Sequence, residues 1–132
     1  MSTYYFSTIV SGLFDEVIEK TTAALAAEGF GILTEIDVAA TMKKKLDVDM
    51  PPYRILGACN PTFAHEALKA EGRIGTMLPC NVIVRSIKDG AVEVSAVDPI
   101  ASMKAIENEQ LGEIASEVRL RLQRVIAGLE QK

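Results

Sequence analysis

A chain of 132 residues that is 48% hydrophobic and 24% charged can bury a core of its own without disulfides or a structural metal, and it is too apolar to be disordered. With 14 basic against 18 acidic side chains its net charge is -4, so it lacks the basic face that neutralises a phosphate backbone, and nucleic acid is not an expected partner. No apolar run approaches the roughly 18 residues of a membrane span, and the opening MSTYYFSTIV lacks the basic start of a secretory signal, so a cytoplasmic protein without a membrane partner is expected.

No repeat, low-complexity tract or linker interrupts the pattern, which predicts one domain over residues 1–132. Residues 4–10 are β-branched and aromatic enough for a first strand. Ser11 can cap a helix in which Phe14, Val17, Ile18, Thr21, Ala24 and Leu25 recur at helical spacing, and Gly29 ends it. Residues 31–38 read as a half-exposed strand, with Ile32, Thr34, Ile36 and Val38 on one face and Leu33, Glu35 and Asp37 on the other. Ala39, Met42 and Leu46 then share one side of a short helix. The other side, Lys43-Lys44-Lys45, reads as solvated or, alternatively, as an anion-binding run. Pro51-Pro52 forces an extended approach to a third strand at 53–58.

Asn60-Pro61 has the form of a helix start, because Asn is a good cap and Pro is tolerated where its missing donor would be unpaired. Gly72 is expected to end that helix, with Phe63, Ala64, Ala67 and Leu68 inward and His65 outward, although His65 starts close enough to stay within reach of Cys59. Strands at 81–87 and 91–97 flank Lys88-Asp89-Gly90, a three-residue hairpin loop. Pairing Ile87 with Ala91 sets Val82 opposite Ala96, Val84 opposite Val94 and Arg85 opposite Glu93, whereas a slip of one residue sets apolar against polar on both faces. The last helix begins near Glu109 after the cap Asn108. Its stripe runs through Leu111, Ile114, Ala115, Val118, Leu122, Val125, Ile126 and Leu129. These elements predict an α+β domain, a mostly antiparallel sheet with helices on one face. The other face, with Leu33, Ile83 and Val97 among Glu35, Arg85 and Glu93, suits a homodimer contact, a ligand or an ordinary half-wet surface.

The same register puts Cys80 opposite Asp98, and Cys59 stands just before the Asn60-Pro61 helix start, where the helix dipole can favour a thiolate. If the strands carrying the two cysteines run antiparallel, Cys59-Asn60-Pro61 and Pro79-Cys80-Asn81 meet at one sheet end; if parallel, they lie apart, and the connection permits either. No C-x-x-C spacing supports zinc, so no metal is expected, and no G-x-G-x-x-G fingerprint marks a nucleotide loop. No cofactor can be named. Three readings remain. The first is a small-molecule or anion site bordered by Cys59, Asn60, Cys80, Asn81 and Asp98. The second is thiol redox or sulfur-transfer chemistry, with Cys59 attacking and Cys80 as the less acidic partner beside Asp98. In the third, the cysteines are buried packing and the protein is an interaction dimer.

Six blocks carry a family resemblance: Gly29-Phe30-Gly31, Thr34-Glu35-Ile36-Asp37, Lys43-Lys44-Lys45-Leu46, Tyr53-Arg54-Ile55-Leu56-Gly57-Ala58-Cys59-Asn60-Pro61, Leu78-Pro79-Cys80-Asn81-Val82 and Val94-Ser95-Ala96-Val97-Asp98-Pro99. Together they resemble the domain-of-unknown-function family 302, over nearly the whole chain. The resemblance implies a curved antiparallel sheet of the TATA-binding-protein-like class with helices on one side, commonly a dimer. It favours the antiparallel choice, and thereby the convergence of Cys59, Cys80 and Asp98. It implies no activity.

Overall fold

The computed structural model describes residues 3–88 and 90–130. Five strands, β1 (Tyr5–Ser11), β2 (Gly31–Asp37), β3 (Tyr53–Cys59), β4 (Cys80–Lys88) and β5 (Ala91–Val97), form one sheet in the order β1-β5-β4-β3-β2, with every neighbouring pair antiparallel. Helices α1 (Phe14–Ala27), α3 (Pro61–Ala70) and α5 (Glu109–Leu129) cover one face, with two shorter helices, α2 (Val38–Leu46) and α4 (Pro99–Ser102), at strand ends. Among the described residues no helix is long and apolar enough to cross a membrane.

The core lies between the sheet and helices α1 and α5. Val10, Leu56, Val82, Val84, Val94 and Ala96 point from the strands onto Val17 and Leu25 of α1 and Val118, Leu122, Val125 and Ile126 of α5. Each such aliphatic side chain contributes about 1.5–3 kcal/mol on burial. Helix α5 starts where its stripe and cap predict: Asn108 Oδ1 accepts from the Gln110 and Leu111 amides, and its Nδ2 donates to the Ala70 carbonyl 3.0 Å away. One side chain thus caps α5 and ties it to the end of α3.

The body of the hairpin has the expected register, Val82 with Ala96, Val84 with Val94 and Arg85 with Glu93. Its turn differs. Lys88, not Ile87, stands opposite Ala91, and a register shift between Ser86 and Lys88 absorbs the additional residue. Asp89 of the expected loop lies outside the described residues. Strand β2 departs further. A bulge between Ile32 and Thr34 reverses the alternation, so Ile32 packs on the core while Thr34 and Ile36 pair with Gly57 and Ile55. Glu35 lies instead beside Arg54, whose guanidinium sits over the Phe14 ring of α1, which removes Glu35 from the open face.

Other boundaries shift by a few residues. Ser11 belongs to β1 and Leu13 precedes α1 with no side-chain cap; α3 ends at Ala70, before Gly72; and Leu46 of α2 is exposed. A four-residue 3-10 turn at Ile74–Met77 and helix α4 were not expected from periodicity. Gly57 has no room for a side chain: a Cβ there would collide with Thr34 Oγ1 and stand 2.8 Å from Pro79 Cγ. Gly57→Ala is therefore expected to destabilise the fold by about 1–3 kcal/mol in urea unfolding, and adding Thr34→Ala should recover part of the loss.

Candidate functional site

Because β3 and β4 run antiparallel with Ala58 opposite Cys80, the last residue of β3 and the first of β4 lie at the same end of the sheet. The chain leaves β3 at Cys59 and turns at once into α3, where Asn60 Oδ1 accepts from the Phe63 amide and Pro61 opens the helix. It returns through the 3-10 turn and Pro79 to Cys80. Between this sheet end, α3 and α5 lies a cavity of about 320 Å³ lined by side chains that include Phe30, Phe63, Leu78, Met103 and Ile114. Cys59 and Cys80 both border it: Cys80, opposite Ala58, is buried on the helix face of the sheet, whereas Cys59, opposite Gly31, is half-buried on the alternate side, and both thiols are free.

Much of the wall consists of small side chains, Ala58, Ala64, Ala67 and Ala115, where larger ones would fill the space. Asn60 is the one amide side chain in the lining. A substituent on Gly29 would stand 2.8 Å from Asn60 Nδ2, and Gly29 also has a φ of +89°, so glycine is required there on both counts. Arg121 of α5 braces the same corner: its Nη1 donates to the Glu28 carbonyl at 3.0 Å and its guanidinium lies 5.1 Å from the centre of the Phe63 ring. Arg124 grips the Glu28 carboxylate at 2.9 Å and holds it below the usual carboxylate range.

The five residues expected to border one site divide three ways. Cys59, Asn60 and Cys80 converge on the cavity. Asn81 pairs with Gly57 and projects from the opposite face, into a second depression of about 460 Å³ with Tyr5, Tyr53, Ile83, Arg85 and Glu93. Asp98 faces neither depression. Its buried carboxylate caps α4 by accepting from the Ile100 amide at 3.0 Å and pairs with Arg119 Nε at 3.2 Å. It acts on the cavity only through the next residue, Pro99, which is in the wall. The expected meeting of a thiol with the Asp98 carboxylate does not occur, because the carboxylate is taken up by the α4 cap and Arg119. His65 is exposed and outside the lining, as are Lys43, Lys44 and Lys45, the first of which pairs with Asp47 and Asp49. Sequence reasoning missed Met103, Phe30 and Ile114 as site residues; they come from two connections and from α5, far apart in the chain, and carry no local signal.

Burial pushes the Cys80 thiol up to about 11, and the neighbouring Cys59 adds to the rise. Below the usual thiol value of 9.0 the group is protonated in folded and unfolded chains alike, so its burial carries no pH dependence there. Between 9.0 and about 11 the unfolded chain ionises while the folded chain keeps its proton, so stability should fall over that interval. Urea midpoints measured across it should show the decline in the native chain and a flatter profile in Cys80→Ala.

Comparison with known proteins agrees with this architecture. No protein of curated function matches the chain. A crystal structure of an uncharacterised conserved DUF302 protein from Bacillus stearothermophilus superposes with a TM-score of 0.89 at 27% identity, covering 98% of this chain and 100% of that one. The model of the domain of unknown function DUF302 matches residues 6–129, and the chain belongs to that family.

Proposed function

We propose that the protein is a small-molecule-binding protein that takes an apolar ligand into the cavity between the sheet end, α3 and α5. The observation that carries this reading is the cavity itself: about 320 Å³, partly open, and walled by aromatic, aliphatic and alanine side chains. An apolar void of this kind holds water poorly and gains by accepting an apolar guest. The lining shifts the expected ligand from a polar or anionic group to an apolar body, with any polar end directed to Asn60 at the start of α3. Two free thiols suit a reducing, cytoplasmic setting.

In the same reading the open sheet face joins two copies. Seven-residue strands in a five-stranded sheet present a face on the order of 550 Å² before side-chain relief is counted, near the roughly 800 Å² each partner of a stable pair buries. Tyr5, Ile9 and Ile36 are exposed on it, and the Arg85 and Glu93 pair at 2.6 Å lets a two-fold axis set each charge near its opposite. Thiol redox or sulfur transfer is the second reading. It draws on both cysteines bordering one cavity, with half-buried Cys59 as the attacking group and Cys80 as the resting partner.

Two substitutions test the first reading. Ala64→Phe fills the cavity from a partly exposed helix position, so an apolar fluorescent probe such as anilinonaphthalene sulfonate should bind at least about tenfold more weakly with the melting temperature held or raised. Undiminished probe binding in this variant would remove the cavity as the site. Ile83→Lys, at the centre of the open face, should halve the mass seen by light scattering. For the second reading, an alkylating agent should reach Cys59 well before Cys80 in the folded chain; equal inertness of both until unfolding would leave them as packing.

A further inference from the structure

The cavity wall limits the charge, the polarity and the size of what it can hold. No Asp, Glu, Lys, Arg or His side chain lines it. Outside the wall the three arginines of α5 each have a carboxylate of their own: Arg119 pairs with Asp98 at 3.2 Å, Arg121 with Glu117 at 3.1 Å and Arg124 with Glu28 at 2.9 Å. An ionised ligand would therefore give up water without meeting an unpaired counter-charge. An apolar protein cavity of about 150 Å³ takes one benzene ring, so about 320 Å³ has room for two fused rings.

Polarity is set by Asn60. The Phe63 amide needs an oxygen to accept its hydrogen, and Asn60 Oδ1 supplies it at 3.5 Å, which fixes the orientation of the side-chain amide. Nδ2 then turns away from α3 toward Gly29, where it would stand 2.8 Å from a side chain if that residue had one. Among the described residues no protein acceptor takes the Nδ2 hydrogens. A pure hydrocarbon in the cavity would strip water from this donor and leave it unpaired, whereas an acceptor oxygen on the ligand would satisfy it.

We propose, resting on the apolar-ligand reading above, that the ligand is an uncharged compound of about two fused rings with a carbonyl oxygen that accepts from Asn60 Nδ2. Acids are disfavoured because no free cation awaits them, and amines because no carboxylate lines the wall. The thiols of Cys59 and Cys80 are weak donors by comparison, so the carbonyl is oriented by Asn60.

The test is equilibrium dialysis of the full chain at neutral pH against three probes that share one bicyclic skeleton: tetralin, tetralone and tetralin carboxylate. The native chain should bind the hydrocarbon and the ketone, and the carboxylate at least about tenfold more weakly than the ketone. Asn60→Ser keeps an oxygen that caps α3 and removes Nδ2. It should weaken tetralone binding about fivefold or more and tetralin binding less than about twofold. Ala64→Phe should weaken both, which places them in this cavity. If Asn60→Ser changes the two affinities by the same factor, or if the carboxylate binds as tightly as the ketone, the neutral carbonyl ligand is overturned while binding of tetralin keeps the apolar-ligand reading in place. Failure of both tetralin and tetralone to bind the native chain would overturn the two together.

Discussion

The antiparallel pairing of β3 with β4, anchored by Ala58 opposite Cys80, is the constraint from which the candidate site follows. It requires the chain to leave and re-enter the sheet at the same end. The twenty residues between Cys59 and Cys80 must therefore form a closed excursion over that end, and α3 with its 3-10 turn is that excursion. Helix α5 closes the other side, held to the end of α3 by Asn108 and to the end of α1 by Arg121 and Arg124. The walls are thus fixed by polar contacts outside the cavity, while the surface inside it stays apolar. Such a division lets a void persist, because collapse of the wall would break capped helix ends and charged hydrogen bonds to gain only modest apolar contact.

The two faces of the sheet differ in composition. The helix face carries short β-branched and alanine side chains that interdigitate with α1 and α5, and the aromatic side chains Tyr5 and Tyr53 are placed on the other. The open face mixes these tyrosines and isoleucines with the Arg85 and Glu93 pair. Meanwhile the edge strand β2 is bent by its bulge, which places Leu33, exposed, at the rim of the cavity. One irregularity therefore serves both the shape of the sheet edge and the mouth of the site.

What could be read in advance depended on how local each determinant is. Helix α5 and the body of the hairpin were legible because seven buried positions at helical spacing, and charge facing counter-charge across a turn, are properties of short stretches. The bulge at Leu33 was not, since Ile32-Leu33-Thr34 alternates no differently from a regular strand, and the collision space at Gly57 that accompanies it lies in another strand. Asp98-Pro99 was legible in principle: it repeats the Asn60-Pro61 cap-and-proline signal, and both start helices. Reading Asp98 as the partner of Cys80 extended the ladder two pairs too far, beyond Val82 with Ala96 and past Val97, where β5 ends and the chain turns into α4. The cavity itself was invisible, because an absence of side-chain volume is set by several alanines on separate elements.

The surroundings of Cys80 connect the apolar wall to the chemistry the site can support. Burial raises the thiol to about 11, so the group is neutral near pH 7 and a poor nucleophile there. The same burial lets it sit in an apolar wall without breaking the dryness of the cavity, as a small hydrophobe would. A buried carboxylate at this position would have drawn water or a hard cation into the void. Asp98, one step away, caps α4 and pairs with Arg119, which keeps its charge out of the apolar wall.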